Sequence, residues 1–182
     1  MSAKCEGCDA TIKACLLELR KHKALADQAL AQIDDAALFH RLNDQQNSIA
    51  VIMRHMAGNM ISRWTDFRTT DGEKPNRNRD EEFADRRVSR SELTQIWETG
   101  WATTFTAIES IRPDELNHTL TIRGEPHTYV LAIVRQATHY AYHVGQILLL
   151  AKHFRGEGWK YLTVAPGKSQ DYNRAMQAKN NA

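Results

Sequence analysis

His139 and His143 stand four residues apart in THYAYHVGQILLL, residues 138–150, the most apolar helical stretch of the chain. On a helix that spacing sets the two imidazoles about 40° apart and roughly 6 Å along the axis, so they share a face. An imidazole buried without a partner costs on the order of 1–3 kcal/mol, and a pair facing a core calls for hydrogen bonds, a charged group or a metal. Spacing alone does not choose, because eight histidines in 182 residues give about 0.3 such pairs by chance. The choice depends on what faces the pair.

The elements that would position these residues follow from hydrophobic periodicity. Steps of three and four predict a first helix through Ile12, Cys15, Leu16, Leu19, Ala26, Leu30 and Ile33, and a second through Ile49, Ile52, Met53, Met56, Met60, Trp64 and Phe67. A third is marked by Leu93, Ile96, Trp97, Trp101, Phe105 and Ile108. The fourth runs from Tyr129 through Ile133, Tyr140, Val144, Ile147 and Ala151 to Phe154, starting just after Pro126. The expected fold is an all-α four-helix bundle with a long charged loop at 68–89 between the second and third helices. A short connection falls near 34–47, and an intermediate one at 112–127 holds a candidate strand at Thr119–Ile122 with a turn at Arg123-Gly124. Residues 1–9 are expected to be flexible, 10–173 to form one domain, and 174–182 to fray.

In such a bundle polar sites are built from facing helices. On the second helix His55, Asn59, Ser62 and Asp66 fall in one narrow polar strip beside the apolar arc of Met53, Met56, Met60 and Trp64. Gln136 and Gln146 lie a turn before and a turn after the histidine pair on the fourth. Three imidazoles, His55, His139 and His143, can therefore converge from two helices. That donor set suits a borderline divalent ion such as zinc, nickel or iron(II), with an open position where a water or a thiol becomes a nucleophile at neutral pH.

Composition bounds the alternatives. A charged fraction of 25%, a hydrophobic fraction of 42% and a net charge of +2 describe an ordinary globular chain with no basic stripe, so no nucleic-acid partner is expected. No segment approaches the roughly 20 apolar residues of a membrane span, and the N-terminus lacks a signal-peptide core, so the chain reads as cytoplasmic with no membrane partner. The three cysteines then read as thiols.

NSIAVIMRHMAGNMISRWTDF, TTDGEKPNRNRDEEF, HYAYHVGQILLLAK and WKYLTVAPGKS together resemble the DinB-like superfamily, in an uncharacterised branch sharing H-M-A-G-N-M and H-x-x-x-H-x-G-Q. The resemblance spans about residues 10–173. It implies a four-helix bundle, commonly a homodimer, with a divalent metal held by one histidine of the second helix and two of the fourth. Here that pattern falls on His55, His139 and His143. Some members resemble transferases that use a low-molecular-weight thiol such as bacillithiol or mycothiol, or maleylpyruvate isomerases; the resemblance assigns this branch no reaction. The chain departs from the pattern at Asn76, where a tryptophan is expected in the charged loop.

Plainer readings stand beside these. The histidines also fit half-buried groups bonded to Gln, Tyr or backbone. Asn59 and Gln146 fit either a pocket or supporting role, or ordinary polar packing. Arg63, Asp66, Arg77 and Arg79 read first as exposed charge and second as contacts to an anionic substrate. Cys5, Cys8, Cys15 and His22 suggest zinc, but a helix beginning before Cys8 would separate Cys8 and Cys15 by about 10.5 Å, too far for one ion. Pro166-Gly167-Lys168-Ser169 is a turn rather than a phosphate loop, because Leu162 stands where the first glycine would. His22, His40, His118, His127 and His153 read as surface or capping residues. Two functions remain. One is a metal-dependent thiol transferase or hydrolase whose site the 68–89 loop covers. The other is a binding or stress-response protein with a structural metal.

Overall fold

The computed structural model describes residues 6–84, 86 and 88–180, without the side chains of residues 6, 8 and 180. It is mostly helical, with one small antiparallel sheet. Seven helices occur among the described residues: α1 (Glu6–Leu30), α2 (Asp35–Phe39), α3 (Ile49–Trp64), α4 (Arg79–Phe83), α5 (Arg90–Glu109), α6 (Tyr129–Arg155) and α7 (Ser169–Asn180). The four long helices α1, α3, α5 and α6 coincide with the four periodic segments of the sequence. Each of three starts on a side-chain cap: Ser48 Oγ accepts from Val51 N at 3.3 Å, Ser89 forms a capping box with Glu92, and Thr128 Oγ1 accepts from Leu131 N at 3.2 Å. These caps satisfy amide donors that the first turn leaves without partners.

The helices bury one continuous core. Trp97 and Trp101 of α5 pack with Met56 and Met60 of α3 and with Tyr140 and Ile147 of α6, all essentially inaccessible. Burying a large apolar side chain stabilises by roughly 1.5–3 kcal/mol. The α3–α5 seam is close because Gly100 faces Ala57: a Cβ at Gly100 would lie 2.8 Å from Ala57 Cα. Helix α1 packs chiefly along α6, and α3 packs against both α5 and α6.

Three boundaries depart from the periodic reading. The first periodic run continues to Ile33, but α1 stops at Leu30. The second periodic run continues to Phe67, but α3 stops at Trp64, and Asp66 adopts φ 46. That left-handed residue turns the chain out of the helix, while Phe67 still buries its ring 5.3 Å from that of Tyr129. Pro126 does not immediately precede α6. It lies in β2 (Glu125–Thr128), which pairs antiparallel with β1 (Thr119–Ile122). The two-residue turn Arg123-Gly124, φ 55 and 77, has the positive angles that a tight hairpin needs. α7, exposed along residues 169–179, occupies most of the segment expected to fray.

The 68–89 segment is folded onto the rest of the molecule. Gly72 N donates to Thr121 O at 2.7 Å, and Asp71 accepts from the backbone amides of Arg123 and Gly124 at 2.8 and 2.9 Å. Ser62 Oγ donates to Gly72 O at 2.8 Å and accepts from Lys74 N at 3.1 Å. Farther along, Asn78 caps the single-turn helix α4 through Glu81 N, and Arg41 and Arg54 reach the carbonyls of Phe83 and Ala84. Both ends of the segment are thus tied to helices that carry the core.

Candidate metal centre

Helices α3 and α6 bring His55, His139 and His143 together. One ring nitrogen from each lies within 4.8 Å of the others, and this is the one such His/Cys/Asp/Glu group among the described residues. The ring centroids are 5.5 Å apart for His55 and His139, 5.0 Å for His55 and His143, and 4.7 Å for His139 and His143. Helical packing causes this: His55 follows the buried face of α3, and the four-residue step puts His139 and His143 on one side of α6.

The hydrogen bonds around the rings assign their tautomers. His55 Nδ1 donates to Glu82 Oε2 at 2.9 Å, and His143 Nδ1 donates to Gln146 Oε1 at 2.8 Å. Each bond leaves Nε2 as the ring's lone-pair nitrogen. Nε2 of His143 and Nδ1 of His139 are buried and have no hydrogen-bond partner. Two orphaned nitrogens in a triad at ligand spacing suit a cation site, because a buried polar nitrogen without a partner is otherwise an uncompensated cost. The donor set fits a divalent ion.

Electrostatics keep the two α6 rings neutral. Burial lowers the pKa of His139 to about 3, helped by the neighbouring His143 and His55 and by Arg63 and Arg77. Burial also lowers that of His143, against the opposing hydrogen bond to Gln146. Glu82 is pushed up by burial but held below the usual carboxylate range by the stronger combined effect of His55 and Arg77. Neutral imidazoles and an ionised carboxylate are the forms in which a histidine ligand and its supporting acid operate.

Glu82 is the residue that sequence reasoning missed. It sits in the charged run RDEEF, and its position rests on tertiary contacts. Arg77 donates to both of its oxygens at 2.8 Å, and Gly58 of α3 leaves the room it occupies: a Cβ there would lie 2.8 Å from Glu82 Cδ. Phe83 packs its ring 4.7 Å from that of His55. A signal was present, since Asn78 before Asp80, Glu81 and Glu82 is an N-cap followed by an acidic first turn.

The other expected residues take the following places. Asn59 is buried, accepts from Tyr140 Oη at 3.4 Å and lines the cavity beside the triad. Gln146 orients His143. Asp66 is exposed, beyond the end of α3. Arg63 and Arg77 are not exposed charge. Their side chains are each 5% accessible, and both pair with Glu73. The reason is that loop 68–78 folds back over α3 and supplies Glu73 as a shared counter-charge. Arg79 does remain exposed. Asn76, where a tryptophan was expected, is exposed. Cys5 and the side chain of Cys8 lie outside the described residues. α1 begins at Glu6, and Cys15 is a half-buried free thiol whose pKa burial raises. Gly167, with φ 76, turns the chain into α7.

A cavity of about 340 Å³ opens beside the triad, lined by His55, His139 and Asn59 among others. The structure thus defines a mostly helical protein with a largely buried, partly unsatisfied histidine triad at the wall of a cavity. The chain belongs to the family described as "Protein of unknown function (DUF1572)", whose profile matches residues 8–168. Comparison with curated proteins gives no match.

Proposed function

We propose that His55, His139 and His143 hold one divalent cation, zinc, nickel or iron(II), and that the site belongs to a metal-dependent transferase that activates a low-molecular-weight thiol. In this reading α1, α3, α5 and α6 are the four helices of a DinB-like bundle. The observation that carries it is a triad in which each ring offers one nitrogen within 4.8 Å of the others, while His139 Nδ1 and His143 Nε2 are buried without a partner. A bound divalent ion supplies Lewis acidity, lowering the pKa of a thiol or water to near neutrality.

The chain's own residues divide the remaining work. Glu82 holds the Nδ1 proton of His55 and Gln146 that of His143, which fixes both ring orientations. Tyr140 links Asn59 to Trp64, accepting from Trp64 Nε1 at 3.2 Å, and so ties the cavity wall to the core. Phe83 and the α4 segment cover His55 from the loop side, limiting access of water to it. An enzyme is favoured over a structural metal because no carboxylate completes the triad among the described residues. Glu82, the nearest acid, is engaged by His55 and Arg77, and the cavity reaches His55 and His139.

A hydrolase using water is the second reading, supported by the same cavity. No described helix is long and apolar enough to cross a membrane. A homodimer is part of the proposal, supported by the exposed Leu131, Val134, Tyr142 and Leu149 on α6. The test is metal analysis of the purified protein with spectra of its cobalt form before and after small thiols are added. A sulfur-to-cobalt charge-transfer band that His139→Ala abolishes supports thiol activation. A bound metal with no change for any thiol selects hydrolysis or a structural ion, and absence of stoichiometric metal overturns the reading.

A further inference from the structure

The cavity beside the triad has an unusual wall. Arg63, Arg77, Arg79, Arg123 and Arg135 all line it, and among the described residues no aspartate or glutamate does. Guanidinium groups repel one another, so five around one small cavity give it a positive potential that neighbouring carboxylates or an anionic ligand offset. Three of them are compensated within the protein. Glu73 pairs with Arg63, Arg77 and Arg123, and Glu82 pairs with Arg77. The other two, Arg79 and Arg135, make no ion pair among the described residues. Arg79 rests over the ring of Phe83 at 4.9 Å, and Arg135 Nη1 lies 3.0 Å from His127 Nε2. Both are exposed, as is the Glu73-paired Arg123, which puts them at the entrance, while Arg63 and Arg77 form the buried end.

A second observation points the same way. Gln136 also lines the cavity, is 3% exposed, and its Oε1 makes no hydrogen bond. An amide whose two ends exchange by a flip can turn its donor toward a ligand that fills the space. The volume, about 340 Å³, suits a compact small molecule rather than a polymer segment.

We infer that the substrate of this site is a small organic anion, carrying a carboxylate or phosphate group that Arg79 and Arg135 receive at the cavity entrance. Arginine forks match either group in a bidentate way. With the anionic end held there, the rest of the molecule extends toward Asn59, Gln136 and the triad. The orientation toward the triad rests on the metal reading, whereas capture of the anion does not.

The experiment separates the two. Succinate and inorganic phosphate are titrated calorimetrically into the metal-loaded and the chelated full-length protein, with succinamide as the neutral control. The same titrations are run on the Arg79→Gln/Arg135→Gln double variant. These exposed positions leave the core intact, and an unchanged melting temperature verifies it. The expected result is saturable binding of at least one anion, weakened by rising salt, absent for succinamide, and weakened at least tenfold in the double variant. If that pattern appears in a protein that binds no metal, the anion site stands and the metal reading fails. If an anion binds only the metal-loaded form, with equal affinity in the double variant, the ion rather than the arginines captures it. That outcome overturns the inference and leaves the metal reading intact. Absence of anion binding in both forms also overturns it.

Discussion

His55 Nδ1 donates a hydrogen bond to Glu82 Oε2 at 2.9 Å, joining the middle of α3 to the short helix α4. The carboxylate fixes the histidine tautomer from outside the triad, and the same carboxylate is held in place by Arg77. Removing its charge while keeping its shape should therefore weaken the cation site without dismantling the fold. Glu82→Gln is expected to lower metal affinity about 10–100-fold, read by competition with a chelating dye. Unchanged affinity would show that His55 orients itself.

Gly58 makes room for that carboxylate. Alanine in a helix interior is ordinarily favoured over glycine by about 1 kcal/mol, so Gly58→Ala should raise stability if nothing opposes it. Here the new methyl would lie 2.8 Å from Glu82 Cδ and displace the side chain. The expected outcome is metal affinity reduced in step with Glu82→Gln, with no rise in melting temperature. A more stable variant with full affinity would show that Glu82 is not held by this fit.

Each triad histidine contributes one nitrogen. His55→Ala, His139→Ala and His143→Ala should each bring bound metal below one equivalent, measured by elemental analysis. Because a ligand of the folded state stabilises it by about 2.7 kcal/mol at a hundredfold excess over Kd, chelation should lower the wild-type melting temperature and leave those of the variants unchanged. A chelator shift that survives His139→Ala would place the ion elsewhere.

Acid should destabilise the chelated protein through His139. Its folded pKa is depressed to about 3 from an ordinary 6.5, so the unfolded chain takes up a proton that the folded chain refuses. The contribution is fully present above about pH 6.5 and is lost progressively as pH falls toward the folded value. Thermal melts between about pH 7.5 and 5 should lose more in wild type than in His139→Asn, which has no such proton to take up. Parallel pH profiles would refute the depressed value.

Gly100 tests the helix seam. A Cβ there would lie 2.8 Å from Ala57 Cα, a backbone atom that cannot rotate away. Gly100→Ala should therefore lower stability by roughly 1–3 kcal/mol despite its better helix propensity, as measured by denaturant unfolding. An increase would mean that α3 and α5 slide apart easily.

Local periodicity determined the four long helices, because burying one face of a helix imposes steps of three and four on the apolar residues. It also set His55 on one helix and His139 and His143 on another. The hairpin turn was legible as well, since Arg123-Gly124 sits between two short segments and glycine accepts the positive φ such a turn needs. The end of α3 was not, because Phe67 continues the apolar period and buries its ring even though Asp66 has already turned the chain. Only tertiary structure decided how the charged 68–89 segment is used. A run of like and opposite charges carries no period that marks which member turns inward, and every partner of Glu73 and Glu82 lies either on another element or across a loop closed by distant hydrogen bonds. Glu82 reaches His55 only because Gly58 has no side chain, because Arg77 neutralises it, and because α4 is tied to Arg41 and Arg54. The burial of Arg63 and Arg77 follows from the same closure, which supplies Glu73 as their counter-charge, while Arg79 and Arg135 at the cavity entrance make no ion pair among the described residues.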